Sequence, residues 1–142
     1  MKSKAYRAID VKHLNLATLL RQRQQSVVHA GLDTGKNSIL CMLRWGNDDF
    51  DRPWRVRNPA DLTHLAGLLA TVGQGRQLIV ALEPTGTYGD ALRQALARVH
   101  RTVHRVSPKA AADYAEVFDG VPSQHDGKDA GVIAELAAQG RS

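Results

Sequence analysis

Cysteine is nearly absent from this chain. Cys41 is the only one among 142 residues, so no intramolecular disulfide can form, and the chain fits a reducing compartment. Aromatic residues are scarce at 5%, so the core must be built from Leu, Val, Ile and Ala. No apolar run approaches the length of a membrane-crossing helix. The N-terminus is basic but lacks the apolar stretch of a secretory signal. These absences make a soluble cytoplasmic protein the default expectation. What is present suffices for one ordinary domain: 43% hydrophobic residues can supply one core. The formal charge is +5 and the pI about 9.7, which favours a polyanionic partner such as nucleic acid.

Residues 1–25 read apart from the rest. Lys2, Lys4, Arg7, Lys12, Arg21 and Arg23 face only Asp10, and Leu14, Leu16, Leu19 and Leu20 give a short helical pattern. This is a basic extension, disordered at first and then helical, and it reads equally as a nucleic-acid arm or as a solvated helix. The compact domain is expected over residues 26–142. Residues 27–33, 38–45 and 50–57 read as three strands, the last weakened toward an edge by Pro53. The turn chemistry of residues 46–49 makes them an antiparallel meander.

Helices and single strands then alternate. Asn58 is placed to cap a helix over residues 59–72 with Pro59 at its first position. A fourth strand spans residues 77–82 and a helix residues 87–99. A fifth strand covers residues 102–106. Ser107-Pro108 opens a helix to residue 118, and a last helix runs over residues 126–139. The expected fold is α/β: a mixed five-stranded sheet, an antiparallel meander followed by parallel strands, with helices on its faces.

Four acids stand out. Asp33 ends the first strand and Glu83 the fourth, each after a buried apolar run, where desolvating a carboxylate is costly. If those strands are parallel neighbours, the two acids meet at a topological switch point, where open α/β sheets bind ligands. Gly31, Gly35 and Gly86 would let backbone or ligand approach closely. Asp126 and Asp129 are three apart at a helix start and share a face. Four converging carboxylates need cations, and two Mg²⁺ ions would serve phosphodiester chemistry. Each acid also has a structural reading. Asp126 could cap the helix and Asp129 could complement its dipole. Asp33-Thr34-Gly35 is ordinary turn chemistry. Glu83 before Pro84 has no evident structural task.

Read as an ordered set, these segments resemble a known family. Gly31-Leu32-Asp33-Thr34-Gly35-Lys36 resembles the opening G-x-D-x-x-K of the DEDD transposases, the insertion-sequence family related to the Piv invertase. Glu83-Pro84-Thr85-Gly86-Thr87-Tyr88 resembles its E-P-T-G-x-Y segment. Val106-Ser107-Pro108 resembles its V-N-P step, with Ser for Asn, and Asp126-Gly127-Lys128-Asp129-Ala130 its D-x-x-D-A helix start. The resemblance implies a RuvC-like, RNase H-like fold. It also implies a catalytic and metal-binding tetrad of Asp33, Glu83, Asp126 and Asp129, and Mg²⁺-dependent DNA recombination, with Mn²⁺ as a substitute. Family members carry a C-terminal domain with a nucleophilic serine, and some use a structured guide RNA. The full-length protein is expected to be a homo-oligomer. Three departures stand against the pattern: the sequence stops at Ser142, so the serine-bearing domain is expected to be missing from it, Ser123-Gln124-His125 replaces the usual loop, and the basic front segment is longer.

Other residues weigh less. Lys36 reads as a phosphate contact, and Tyr88 as a base-stacking or a packed aromatic. Arg93 and Arg101, with Arg98 and Arg105, face nucleic acid or form ordinary surface. Lys128 reads as an exposed lysine; His100 and His104 as structural. The expected function is therefore the catalytic domain of a DEDD transposase, acting in Mg²⁺-dependent DNA cleavage and strand transfer. The alternatives are a non-catalytic DNA- or RNA-binding fragment and a stand-alone RuvC-like nuclease. A sugar-kinase or actin-like ATPase expects a second such domain and a second phosphate loop.

Overall fold

The apolar runs of the central strands are continuous because helices cover both faces of the sheet. The computed structural model describes residues 7–47, 49–83, 89–118 and 127–141. In chain order it has β1 (Ile9–Asp10), a 3₁₀ turn (Val11–His13), α1 (Leu16–Arg21), β2 (Val27–Thr34), β3 (Ser38–Gly46), β4 (Asp49–Phe50) and β5 (Trp54–Arg57). There follow α2 (Leu62–Val72), β6 (Gln77–Leu82), α3 (Asp90–Arg98), β7 (Val103–Arg105), α4 (Pro108–Ala115) and α5 (Lys128–Ala138). The strand order is β1-β5-β3-β2-β6-β7, with β4 also on β3. β2 pairs antiparallel with β3 and parallel with β6, and β6 pairs parallel with β7. This is the mixed sheet read from the sequence, with seven strands in place of five, because the third expected strand is divided in two and Ile9–Asp10 adds an edge.

Three local expectations need correction. The strand over residues 50–57 is two strands, β4 and β5, with Pro53 in the break. The helix after it starts at Leu62, with Asp61 rather than Asn58 in the cap position. Asn58 instead donates its side-chain amide to the Gly35 carbonyl at 2.9 Å, and the Asp61 carboxylate accepts from the Arg57 amide at 2.9 Å. The last helix starts at Lys128, after Gly127 in the left-handed region at φ 85°.

Strand alternation divides the core in two. Val28, Ala30 and Leu32 of β2, Ile39, Cys41 and Leu43 of β3, and Leu78, Val80 and Leu82 of β6 point to the side of α2 and α3. Met42 and Ala81 point to the other side, with Val106, Ala111 of α4 and Ala130, Ile133, Ala134 and Leu136 of α5. The basic N-terminal segment is helical over Leu16–Arg21, and it also lies on the sheet edge. Ile9 pairs with Trp54, and Val11 is buried at 1% exposure in the first cluster. Among the described residues no helix is long and apolar enough to cross a membrane.

Candidate active site

The site is assembled at the C-terminal ends of two parallel strands. Leu32 of β2 lies opposite Leu82 of β6, so the next residues along, Asp33 and Glu83, stand side by side at the C-terminal ends of the two strands. Both stand in the alternation that faces α5. The third acid comes from that helix. Its first turn carries Asp129, where the positive end of the helix dipole favours a carboxylate.

A glycine makes this approach possible. A Cβ on Gly31 would fall inside the Ala130 carbonyl oxygen and 2.6 Å from the Ala134 amide nitrogen. Only a residue without a side chain lets α5 pass that close to β2. Gly31 is two residues before Asp33 and Ala130 is one after Asp129, so the close crossing sets the acids together. Farther along, Arg44 Nε of β3 meets Glu135 Oε1 at 2.7 Å and fixes the other half of α5. At its start, a Cβ on Gly127 would be 2.9 Å from the Pro53 ring.

The start of α5 is tied to the residues that follow α4. Phe118 is buried and packs on Phe50 and Tyr114, with ring centroids 5.9 and 5.6 Å apart. Lys128 donates from Nζ to the Phe118 carbonyl and sits 5.1 Å from its ring centroid. The reading of Lys128 as an exposed lysine is thus corrected: its ammonium ties the start of α5 to the end of α4. Asp126 lies between these anchors in sequence, outside the described residues, as does Tyr88.

Two of the three described carboxylates are raised by burial and by their acidic neighbours. The Asp33 carboxyl is raised above its ordinary value, first by burial and then by Asp129. Glu83 is raised by burial and then by both Asp33 and Asp129. Among the described residues none of the three has an ion pair or a hydrogen bond. The cluster is a concentration of negative charge that the described part of the chain does not neutralise.

A groove of about 220 Å³ opens beside it, lined by Glu83, Pro108, Ala111, Ala112, Asp129 and Val132. The Val106-Ser107-Pro108 step builds its wall. The Val106 amide donates to the Leu82 carbonyl at 2.9 Å, one residue before Glu83. Ser107 then caps α4, accepting from the Ala110 amide at 3.3 Å. Ser and Asn cap equally well, so Ser in place of the family's Asn keeps this function.

Oxygen-only donors suit Mg²⁺, and unneutralised carboxylates that repel one another are what a divalent cation would relieve. Among the described residues, however, no three His, Cys, Asp or Glu side chains are arranged to hold one ion. Of the basic candidates, Lys36 is exposed in the turn that follows β2. Arg93 and Arg101 line a separate pocket at the opposite end of the sheet. The anchors that sequence reading missed are Pro53, Phe118 and the Arg44–Glu135 pair. The pair joins residues 91 positions apart and leaves no local pattern.

Comparison with known proteins bears on the family and the fold. The family model for DEDD transposases of the IS110 type, described as a transposase, matches residues 30–142. No curated protein matches significantly. Among solved structures, RuvC of Thermus thermophilus in complex with a Holliday junction substrate aligns with a TM-score of 0.55 at 16% identity. The alignment covers 81% of this chain and 97% of that one. A second Thermus thermophilus RuvC structure gives 0.53 at 17% identity, covering 80% and 97%. At such identities the likeness establishes the fold, which is RuvC-like and therefore RNase H-like.

Proposed function

The chain belongs to the DEDD transposase family, and from that premise we propose that its acid cluster is a Mg²⁺ site for DNA strand cleavage and transfer. The observation that carries this reading is the pairing of Asp33 and Glu83 at the ends of adjacent parallel strands, with Asp129 brought over them and no cation from the described residues to balance the three. Asp33, Glu83, Asp129 and Asp126 would hold the ions, and Mn²⁺ would substitute. Bound divalent cations would supply charge stabilisation at the scissile phosphate and a more acidic attacking hydroxyl.

The chain's own residues do the positioning. β2 and β6 fix two carboxylates on rigid backbone, and the Gly31 crossing fixes the third. Lys36, exposed just beyond Asp33, would meet a phosphate of the same strand, and Tyr88 would stack on a base or sugar. The groove beside Glu83 and Asp129 has apolar walls in Pro108, Ala111, Ala112 and Val132, which suit a deoxyribose next to the scissile phosphate. DNA is the proposed partner. The Thermus thermophilus RuvC structure holds a Holliday junction, a DNA substrate of that protein.

A second reading, a domain that binds nucleic acid without cutting it, has one observation in its favour: no three-acid group among the described residues is arranged for an ion. Calorimetric titration separates the two. Mg²⁺ or Mn²⁺ is titrated into the chain and into an Asp33→Ala, Glu83→Ala double variant, with and without duplex DNA. The catalytic reading expects binding that the double variant loses. Absence of binding by the folded chain in both conditions selects the non-catalytic reading.

A further inference from the structure

The opposite end of the sheet carries the opposite charge. α3 ends in a left-handed residue, His100 at φ 62°. The His100 amide donates to the Ala97 carbonyl at 3.0 Å and the Arg101 amide to the Leu96 carbonyl at 2.9 Å. This closure turns the chain back beneath the helix. It lays the Arg101 guanidinium over Gly73, where even a Cβ would press against it. The result is an open pocket of about 400 Å³, lined by Arg93, Ala97, His100, Arg101, Thr102 and Val103 and by no acid.

Arg101 is held there without a counter-charge. Among the described residues its guanidinium makes no ion pair or hydrogen bond, and its Nε is shut from solvent with no acceptor. The Nε of Arg93 is in the same condition, although its Nη1 pairs with Asp90 at 3.0 Å. A half-buried guanidinium with no anion is costly to keep. An anion from outside would offset that cost. The planar fork of a guanidinium matches phosphate oxygens best. The C-terminal end of α3 opposes an anion through its dipole, so binding must come from the arginines, and Arg101 is the unpaired one.

We propose that this pocket binds a backbone phosphate of the nucleic acid, as a contact separate from the acid cluster. β6 joins the two places: Arg101 and Gly73 lie at its start and Glu83 at its finish. Six residues at about 3.3 Å each put them roughly 20 Å apart. That is about six base steps at 3.4 Å, so one nucleic acid can reach both.

The test measures fluorescence anisotropy of a labelled 20-base-pair DNA duplex, and of an RNA hairpin of equal charge, over a range of salt without divalent metal. Arg101→Gln should weaken binding about five- to tenfold and reduce the salt slope by about 0.9, the value for one duplex phosphate contact. Arg98→Gln removes the same charge from an exposed position on α3 outside the pocket and should change affinity less than twofold. Arg101→Lys keeps the charge but not the fork and should recover part of the loss. Inorganic phosphate should shift the Thr102 amide resonance of the wild-type chain, a reading that needs no variant to fold. Loss confined to one of the two nucleic acids identifies the source of the phosphate. Equal small effects of Arg101→Gln and Arg98→Gln on both, with no phosphate shift at Thr102, would overturn the proposal. Because no metal is present, that outcome leaves the acid cluster untouched, and failure of metal binding leaves this contact untouched.

Discussion

Two charged clusters in this protein differ in one respect, whether the chain supplies the opposite charge. In the first, Arg23 meets Asp49 at 2.7 Å and Asp51 at 2.6 Å, and Trp45 donates its indole N–H to Asp51. Arg23 and Arg76 lie 5.0 and 5.2 Å from the Trp45 ring centroid. Arg76 also donates to the Val72 and Gln25 carbonyls. Two cations and two anions close on one another around an indole that is 5% exposed. In the second, burial and Asp129 raise the Asp33 carboxyl, burial, Asp33 and Asp129 raise Glu83, and no described cation answers them. The closed cluster joins the N-terminal segment to the sheet with charges that answer one another. The open one costs stability, and natural proteins retain such costs where function needs them.

The largest way to break the comparison is Trp45→Ala. It removes a buried indole and the surface on which both arginines stack. The expected loss is about 3–5 kcal/mol in urea unfolding. Metal affinity of the molecules that remain folded should stay within twofold, because the acids lie at the other end of β3's neighbours. Equal loss of metal binding would mean that the two clusters are one cooperative unit.

Gly31→Ala sharpens it from the other side. The added methyl overlaps the Ala130 carbonyl, so α5 must move away from β2. Overpacking of this kind costs about 1–3 kcal/mol. The displacement carries Asp129 from Asp33, so metal affinity should fall at least tenfold, out of proportion to the stability change. A variant with intact affinity would show that Asp129 is not part of the site.

The acid pair was legible in the sequence because burial and chemistry disagree there. A run such as Leu78-Ile79-Val80-Ala81-Leu82 specifies a strand covered on both faces, and an acid that ends it is out of place. The parallel pairing of β2 and β6 was a condition of that reading, and the sheet meets it. The helix start at residue 62 did not. Asn58-Pro59 satisfies every local rule for a cap, yet the Gly35 carbonyl claims the Asn58 amide across 23 residues. The packing of the N-terminal segment was hidden too. Val11 stands between Asp10 and Lys12, outside the helical leucine pattern, and Arg23 reads as surface until Trp45, Asp49 and Asp51 are folded around it. Sequence pattern reports periodic burial well and long-range charge pairing hardly at all, since such pairs have no fixed spacing.

The smallest effect tests the open cluster most directly. The Asp33 carboxyl has its pKa raised by burial and by Asp129, so the folded chain holds that proton more tightly than the unfolded chain does. Stability is then favoured at pH below the raised value and falls as pH rises from the ordinary carboxylate value through it, because ionising the folded group is harder. Asp33→Asn removes that penalty. Without metal at neutral pH the variant should be more stable than wild type by about 0.5–2 kcal/mol, the usual gain from relieving a functional site. The gain should shrink as pH falls through the raised value, where the wild-type carboxyl also becomes neutral. Saturating Mg²⁺ should reverse the order, since only wild type gains stability from a bound ion. Thermal melts with and without Mg²⁺ across this range read all three signs. A variant less stable than wild type in metal-free neutral buffer would make Asp33 a structural carboxylate, and the contrast between the clusters would then rest on Glu83 and Asp129 alone.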